Sequence, residues 1–194
     1  MKNNHIPVLL NEVKSFIPLG KKINVIDATF GGGGYSESIL KNFNVENLIA
    51  IDRDPVSKVF AKEIKNKYSN FSFINGRFSE MEELIFQENK YKDLKFDFII
   101  FDLGVSSNQI DNAERGFSFM NDGPLDMGMG KNNKKVSEVI NNYSEIDLAN
   151  IIYKYGEERL SRRIAKNIII ARKIKKIETT SELANLIKSC FKKI

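Results

Sequence analysis

The chain has 194 residues, of which 42% are hydrophobic and 28% are charged, and its net charge is +5, which is ordinary for a soluble globular protein. No apolar run approaches the ~18 residues of a membrane helix, and the N-terminal residues lack the long apolar segment and the cleavage site of a signal peptide. The single cysteine, Cys190, excludes an internal disulfide and a cysteine-based zinc site, so we expect a protein of the reducing cytoplasm.

The first half of the chain alternates between apolar strands and amphipathic helices. Runs rich in Ile, Val and Phe occupy residues 23–26, 47–51, 71–74 and 96–101, with helical patterns between them. Such alternation predicts a parallel α/β sheet. Asp54 is predicted as the N-cap and Pro55 as the first residue of the helix that ends near Tyr68, and Ser79 with Glu82 predicts a capping box for the next helix.

Four consecutive glycines, residues 31–34, lie between the first strand, which ends at Asp27, and a helix predicted to open at Tyr35 and Ser36. Such a turn lets a ligand approach the backbone and the positive end of a helix. The fingerprint G-x-G-x-x-G fails because Ser36 stands at its third glycine, and no Gly-Lys-Ser/Thr of a phosphate loop follows. A cofactor without a pyrophosphate, such as S-adenosylmethionine (SAM), fits, with its carboxylate at the helix start and its ammonium group near Asp27. The alternative is a tight turn without a ligand.

Acidic or aromatic side chains follow the next three strands, at the edge where open parallel sheets bind ligands. Asp52 ends the second strand, where a carboxylate can accept hydrogen bonds from both ribose hydroxyls of an adenosine cofactor. Phe78 follows the third strand and could stack on adenine. Asp102 ends the fourth strand and could bind the amino acid part of the cofactor or hold an amino group that is being methylated. Leu-Gly-Val follows Asp102 in place of the Pro-Pro-aromatic run of DNA amino-methyltransferases, which weakens that interpretation.

The second half of the chain contains a long loop and then only helical patterns. Residues 103–135 are rich in Gly, Asp, Asn and Ser. Because this loop also carries large apolar side chains, we expect it to fold over a pocket. These side chains are Phe117, Phe119, Met120, Met127 and Met129. Helices are predicted at residues 136–143, 146–155, 157–175 and 181–191.

Positive charge is concentrated in the last helices. Residues 154–194 contain twelve Lys or Arg against four Glu, a net charge of +8, so residues 1–153 carry −3 of the total. This asymmetry indicates an anionic partner such as nucleic acid. The alternative is a solvated surface in a protein that is generally rich in Lys, Asn and Ile, and charge alone does not decide between them.

Seven segments, in this order and with this spacing, give the chain a family resemblance. They are HIPVLLNEV, DATFGGGGY, IDRDP, GRFSE, DLGVSSNQID, ERGFSFMNDGPLDM and YGEER. They closely resemble the bacterial small-subunit ribosomal RNA cytosine-N4 methyltransferases of the MraW type, the family called ribosomal RNA small subunit methyltransferase H. The resemblance covers essentially the whole chain, and ERGFSFMNDGPLDM is very specific to that family.

The resemblance implies a Rossmann-like α/β methyltransferase sheet, present as its N-terminal strands, followed by part of an inserted helical domain. It implies a SAM-binding half in residues 1–110, an active-site loop in residues 111–135 and an incomplete substrate-binding insertion in residues 136–194. The implied reaction is SAM-dependent methylation of the N4 amine of a cytosine in 16S ribosomal RNA of the 30S particle, with Asp102 as the candidate catalytic proton acceptor. The SAM-binding residues carried over from the family pattern are Gly33, Gly34, Tyr35, Asp52, Phe78, Asp102 and Gln109.

The chain also departs from the family pattern. Tyr35 stands where many members have His, Asn108 where Pro is usual and Gly128 where Arg is common. The family's later His-Pro-Ala-Thr-Arg and Ser-Phe-His-Ser-Leu-Glu-Asp segments do not occur in this sequence. We therefore expect an N-terminal portion that, by itself, is marginally stable, aggregates and is inactive. Two alternatives stay open: a fragment that binds SAM or RNA without turnover, and a methyltransferase that acts on another RNA or DNA amino group.

Overall fold

The computed structural model describes residues 7–130 and 134–191. The chain divides into two compact units, named here the sheet unit (residues 1–106) and the helical unit (residues 107–194). Residues 131–133 of the predicted loop, and Lys192 and Lys193 of the basic segment, lie outside the described residues. Across the described part of the chain, no helix is long and apolar enough to cross a membrane.

The sheet unit is built on parallel strands in the order β3-β2-β1-β4. This arrangement confirms the predicted Rossmann-like α/β sheet. The innermost strands are apolar on both faces, which is what a sheet covered on both sides requires. The strands are β1 (Ile23–Asp27), β2 (Val45–Asp52), β3 (Phe71–Asn75) and β4 (Phe98–Ile100).

Helices cover the two faces of this sheet. They are α1 (Leu10–Ser15), α2 (Gly34–Asn42), α3 (Ser57–Lys67) and α4 (Met81–Gln87), with 3₁₀ turns at Phe78–Glu80 and Asn89–Tyr91. Successive residues of a strand point to opposite faces. Accordingly, Leu48 of β2 packs with side chains of α2 and α3, whereas Ile49 packs with Ile85 of α4. The strand ends are therefore the part of the sheet that a ligand can reach.

Both predicted helix starts differ from the observed ones. Helix α3 begins at Ser57, with Val56 as its N-cap and no side-chain cap, so the prediction of Asp54 as N-cap and Pro55 as the first helical residue is wrong by two residues. Asp54 Oδ1 instead accepts the Val56 N–H at 3.1 Å in the turn that leads into α3. The capping box of Ser79 and Glu82 is wrong. A 3₁₀ turn occupies Phe78–Glu80, α4 begins at Met81, and no side chain caps it. The tighter 3₁₀ turn therefore replaces the side-chain cap as the entry into this helix.

The helical unit is held by one apolar core between its helices. Leu148, Ile164 and Ile168 are almost completely buried in it. Cys190 is also fully buried there, and its Sγ accepts a hydrogen bond from Asn167 Nδ2 at 3.1 Å. The helices are α5 (Ser107–Asp111), α6 (Val136–Asn142), α7 (Glu145–Gly156), α8 (Ser161–Ile174) and α9 (Thr180–Lys188), with a 3₁₀ turn at Ala113–Arg115.

The loop before α6 is anchored in the helical unit by its second half. Leu125 is buried in the helical core, and its N–H donates to the Glu178 carbonyl at 3.0 Å. Asp122 Oδ1 accepts a backbone N–H at the start of α9 at 3.0 Å. By contrast, Phe119 and Met120, which were expected to cover a pocket, are 62% and 81% exposed. Within this unit, Leu125 supplies the buried apolar contact and these two side chains lie at the surface.

Strand β4 lies at one edge of the sheet. Within the described residues it pairs with β1 on one side and with no strand on the other. Ile99 in this strand and Phe101 directly after it are each 46% exposed. An edge strand with free backbone groups and exposed apolar side chains is a template for association with another chain.

Residues 1–194 by themselves are expected to self-associate through this edge, and Ile99→Lys is expected to suppress the association, because a charge on an edge strand opposes pairing. Sedimentation velocity at increasing protein concentration measures the difference. Ile146→Lys is the matched control, since Ile146 is 73% exposed on α7, and it should leave the association unchanged. Association that persists in Ile99→Lys would assign the contact to another surface.

Candidate functional site

The strand order reverses between β1 and β4. The chain proceeds from β1 outward to β2 and β3 and then places β4 on the other side of β1. In open parallel sheets, ligands bind outside the carboxyl ends of the strands at such a reversal. The Ala28 N–H donates to the Ile100 carbonyl at 2.9 Å, so the glycine turn after β1 and Asp102 after β4 begin side by side. The reversal therefore brings two of the predicted site segments together.

The glycine turn is held in place by β2 and by the core. The Gly31 N–H donates to Asp52 Oδ2 at 2.6 Å. Gly33 is buried with φ of 83°, and a Cβ at this position would lie 2.6 Å from Ile64 Cδ1 and 2.7 Å from the Phe30 ring. The left-handed backbone and the close packing against the core therefore require glycine at position 33, in agreement with the tight turn predicted from the sequence, and its contact with a cofactor stays a prediction.

Helix α2 begins at Gly34 with no side chain capping it. The first N–H groups of a helix lack intrahelical acceptors, so an uncapped start favours an anion. Tyr35 follows at the second position, but its side chain is buried and its hydroxyl donates to the Val8 carbonyl. The backbone N–H of Tyr35 is therefore the group that could take part in a cofactor contact, and its side chain supports the N-terminal segment.

Asp27, at the end of β1, is 1% exposed. Its Oδ2 accepts the Ser36 hydroxyl at 2.6 Å, and its Oδ1 accepts the Thr29 N–H at 3.3 Å. Burial raises the pKa of Asp27 to about 6, although these two hydrogen bonds lower it, and the charges of Asp52 and Asp102 add to the increase. Asp27 therefore ties β1 to the first turn of α2 and places a titratable carboxyl beside the helix start.

Asp52 is partly buried at the end of β2. Its Oδ2 accepts the Gly31 N–H, and its Oδ1 accepts the Asp54 N–H at 2.8 Å. Burial raises the pKa of Asp52 and the charge of Asp54 contributes, whereas the two backbone N–H groups lower it. The Ser57 side chain also hydrogen-bonds this carboxylate. Each carboxylate oxygen has two lone pairs, so Asp52 keeps acceptor capacity for one further hydroxyl group.

Asp102 and Phe78 complete the exposed part of the site. Asp102 is exposed, and its N–H donates to Thr29 Oγ1 at 2.7 Å, which fixes the end of β4 beside the turn after β1. Phe78 is 43% exposed and packs edge-on against Phe101, with 5.6 Å between the ring centroids. Sequence reasoning missed Thr29 and Phe101, although each lies within two residues of an acid that it selected.

The predicted site residues fall into two groups. Gln109 lies in α5 of the helical unit, where it is buried, and its cofactor contact stays a prediction. The remaining residues belong to the sheet unit and follow the carboxyl ends of its strands. They are Gly33, Gly34, Tyr35, Asp52, Phe78 and Asp102.

Comparison with known proteins identifies the family of this chain. A family model described as the MraW methylase family matches residues 2–194. The chain belongs to this family. The resemblance inferred from the seven sequence segments is thereby confirmed at the level of the family.

Curated relatives carry the same name in several bacteria. The chain is 44% identical over 192 residues to the ribosomal RNA small subunit methyltransferase H of Rickettsia bellii (strain RML369-C), covering 98% of this chain and 61% of that protein. It is 46% identical over 191 residues to the protein of that name from Orientia tsutsugamushi (strain Boryong), covering 97% and 59%. For Paramagnetospirillum magneticum (strain ATCC 700264 / AMB-1), the identity is 46% over 185 residues, covering 95% and 57%. The chain thus spans 57–61% of the length of these relatives.

Proposed function

We propose that this chain binds SAM at the carboxyl edge of its sheet, and that the whole protein methylates the N4 amine of a cytosine in small-subunit ribosomal RNA. The observation that carries the proposal is the set of groups at the reversal of strand order in this methylase-family sheet. An uncapped helix start follows β1, a carboxylate suited to a ribose follows β2, and an exposed aromatic ring follows β3. The cytoplasmic location expected from the sequence is part of the proposal.

The residues at this edge fit the three chemical parts of SAM. The N–H groups at the start of α2 suit a carboxylate, and the buried carboxyl of Asp27 beside them suits an ammonium group. Asp52 retains a lone pair for a ribose hydroxyl. The Phe78 ring, supported edge-on by Phe101, offers a flat apolar surface to adenine. No part of this donor set requires a pyrophosphate or a metal ion.

Asp102 is the chain's candidate for the chemical step. When bound, SAM supplies a methyl group on a positively charged sulfur. The lone pair of a cytosine N4 amine is delocalised into the ring, so the amine must be positioned closely and must lose a proton as it reacts. Asp102 is an exposed carboxyl at the reversal point, anchored through its own N–H to Thr29. In this proposal its carboxylate accepts a hydrogen bond from the amine and then takes the proton.

The SAM site is tested by calorimetry on single variants. Asp52→Ala is expected to weaken SAM binding by about 10- to 100-fold, because it removes charge-assisted acceptors of hydroxyl groups. Phe78→Ala is expected to weaken it by about tenfold through loss of an aromatic contact. If the wild-type chain binds SAM no better than the double variant, the site described at this edge is wrong.

Asp97→Ala is the matched control for Asp52→Ala. The Asp97 carboxylate also accepts a backbone N–H, from Asn24 at 3.0 Å, but it lies at the opposite end of the sheet, just before β4. Its removal should leave SAM binding unchanged. Equal loss in the two variants would indicate general destabilisation of the sheet unit, which circular dichroism would report independently.

Methylation is tested with the whole protein, SAM and small-subunit particles that lack the modification. Mass spectrometry of nucleosides should then detect N4-methylcytidine, and Asp102→Asn should lower the rate while SAM binding persists. Methyl transfer to a different amino group would favour another RNA or DNA amino-methyltransferase. SAM binding without any transfer would favour the second candidate, a binding protein without turnover. This candidate is retained because the chain covers only 61% of the length of the Rickettsia relative.

A further inference from the structure

The turn between α7 and α8 carries exposed aromatic side chains. Helix α7 ends at Gly156, α8 begins at Ser161, and the two helices share the core of the helical unit. Tyr153 and Tyr155, in the last turn of α7, are 63% and 75% exposed. Tyrosine rings are large apolar surfaces, and two of them exposed at one helix end suggest a contact site.

Positive charge surrounds the same turn. Lys154, Arg159, Arg162 and Arg163 are all exposed, and within the described residues none of them forms an ion pair with an acid. One of the neighbouring acids is already engaged, because Glu158 Oε1 accepts the Leu160 N–H at 2.6 Å. Residues 154–163 hold four cations against two acids, Glu157 and Glu158, so the turn keeps a net positive charge that is available to an anionic partner.

The aromatic and basic groups are close enough to act together. The Lys154 ammonium lies 5.5 Å from the centroid of the Tyr155 ring. Each helix rises ~1.5 Å per residue, so Tyr153 and Arg163 lie within about 5 Å, measured along the helix axes, of the helix ends that the turn connects. Residues two apart leave a helix on nearly opposite sides, so a nucleic acid strand contacts both tyrosines only by passing over the end of α7. The arginines of the turn and of the start of α8 follow at that end.

We propose that this tyrosine–arginine surface binds a single-stranded segment of RNA, with bases stacked on the tyrosines and phosphates on the arginines. The surface consists of Tyr153, Lys154, Tyr155, Arg159, Arg162 and Arg163. Unpaired bases can stack on aromatic side chains, whereas bases inside a duplex cannot leave their own stack without energetic penalty. The inference rests on the proposed function, since it names where the helical unit holds the RNA that the enzyme methylates.

Binding is measured by fluorescence anisotropy with a labelled, unstructured pyrimidine RNA of about 12 nucleotides, within the site sizes of single-strand binders. The double variant Tyr153→Ala/Tyr155→Ala is expected to weaken binding by about tenfold or more while leaving the salt dependence nearly unchanged. Tyr153→Phe/Tyr155→Phe keeps both rings and should bind like the wild type. If the alanine pair binds as tightly as the wild type, the stacking role is overturned.

The arginine role has its own charge-matched control. Arg162→Gln/Arg163→Gln should weaken binding and reduce the slope of log affinity against log salt by about 1.4, since each of two phosphate contacts on a single strand contributes ~0.7. Lys173→Gln/Lys176→Gln removes the same charge from exposed residues at the far end of α8 and beyond it, and should change binding less than twofold. Equal weakening of RNA binding by both double variants would contradict the proposed surface, because it would show that only the net charge of the protein matters.

Two further measurements separate this surface from the rest of the protein. Duplex RNA of the same length should compete poorly, and competition equal to that of the single strand would contradict the stacking geometry. Asp52→Ala should lose SAM binding but keep RNA binding. Loss of SAM binding and retention of RNA binding are independent outcomes, so failure of the cofactor site and failure of the tyrosine–arginine surface are distinguishable.

Discussion

The Gly33→Ala variant is expected to lose about 2–5 kcal/mol of unfolding free energy. The added methyl group would overlap Ile64 Cδ1 at 2.6 Å and the Phe30 ring at 2.7 Å, and φ at this position is 83°. A left-handed backbone disfavours a Cβ by about 1–2 kcal/mol, and overpacking of a core typically adds about 1–3 kcal/mol. Urea unfolding followed by circular dichroism measures the loss, and hydrogen exchange of β1 assigns it to the sheet unit.

Gly20→Ala separates the two contributions. Gly20 has a similar φ of 77°, but a Cβ there meets no atom within 4 Å. This variant should therefore lose only the backbone contribution of about 1–2 kcal/mol. If Gly33→Ala and Gly20→Ala are equally destabilised, the methyl group at position 33 is accommodated, and the close packing of the glycine turn is not the reason for the glycine.

Asp27→Asn is expected to stabilise the sheet unit by about 3 kcal/mol at pH 7.5 and to give little gain at pH 4. Burial raises the pKa of Asp27 in the folded chain to about 6 from its ordinary value of 3.8, and every tenfold change in proton affinity corresponds to about 1.4 kcal/mol. As the pH rises from 4 to 6, the unfolded chain releases the proton before the folded chain does, so the wild type loses stability. Above pH 6 both states are ionised and the loss is complete.

The asparagine can be accommodated in the structure. Its Oδ1 can accept the Thr29 N–H, and its Nδ2 can donate to Ser36 Oγ, since a hydroxyl also accepts. Urea midpoints of wild type and variant between pH 4 and pH 7.5 give the difference. Asp97→Asn is the control of opposite sign, because hydrogen bonds from Lys21 and the Asn24 N–H lower the pKa of Asp97. An Asp27→Asn protein that is less stable than wild type at pH 7.5 would contradict the argument.

The same substitution should weaken SAM binding if Asp27 holds the ammonium group of the cofactor. At pH 7.5 an ionised Asp27 is unfavourable for folding but attractive to a cation. Stability and cofactor affinity are then expected to move in opposite directions in Asp27→Asn. A loss of stability in exchange for binding affinity is typical of a charged group that is buried for its function.

The sheet was predictable because its strands are short and mainly apolar segments of the sequence. Residues 47–51 contain four apolar side chains in five, and such a run fits a strand covered on both faces. Asp52 and Asp102 could be selected because the ends of parallel strands meet at one edge of the sheet. These inferences need only local sequence and the general geometry of parallel sheets.

Side-chain direction and long-range packing were not predictable in the same way. The sequence does not reveal that the Tyr35 hydroxyl reaches the Val8 carbonyl, because the contact joins segments 27 residues apart. It also does not reveal which apolar side chains of the loop are buried, since Phe119 is exposed whereas Leu125 is buried in the helical unit. Composition shows that a loop must bury apolar groups, but only the packed structure decides which of them are buried.

The burial of Cys190 allows local opening of the helical unit to be measured by the reaction of its thiol. Its thiol is fully enclosed, bonded to Asn167, and is the chain's single cysteine. A thiol-specific dye can therefore react only when the turn that follows α9 leaves the core, and the sheet unit contributes no signal. The labelling rate, compared with that of a free thiol, gives the free energy of this opening without any engineered probe.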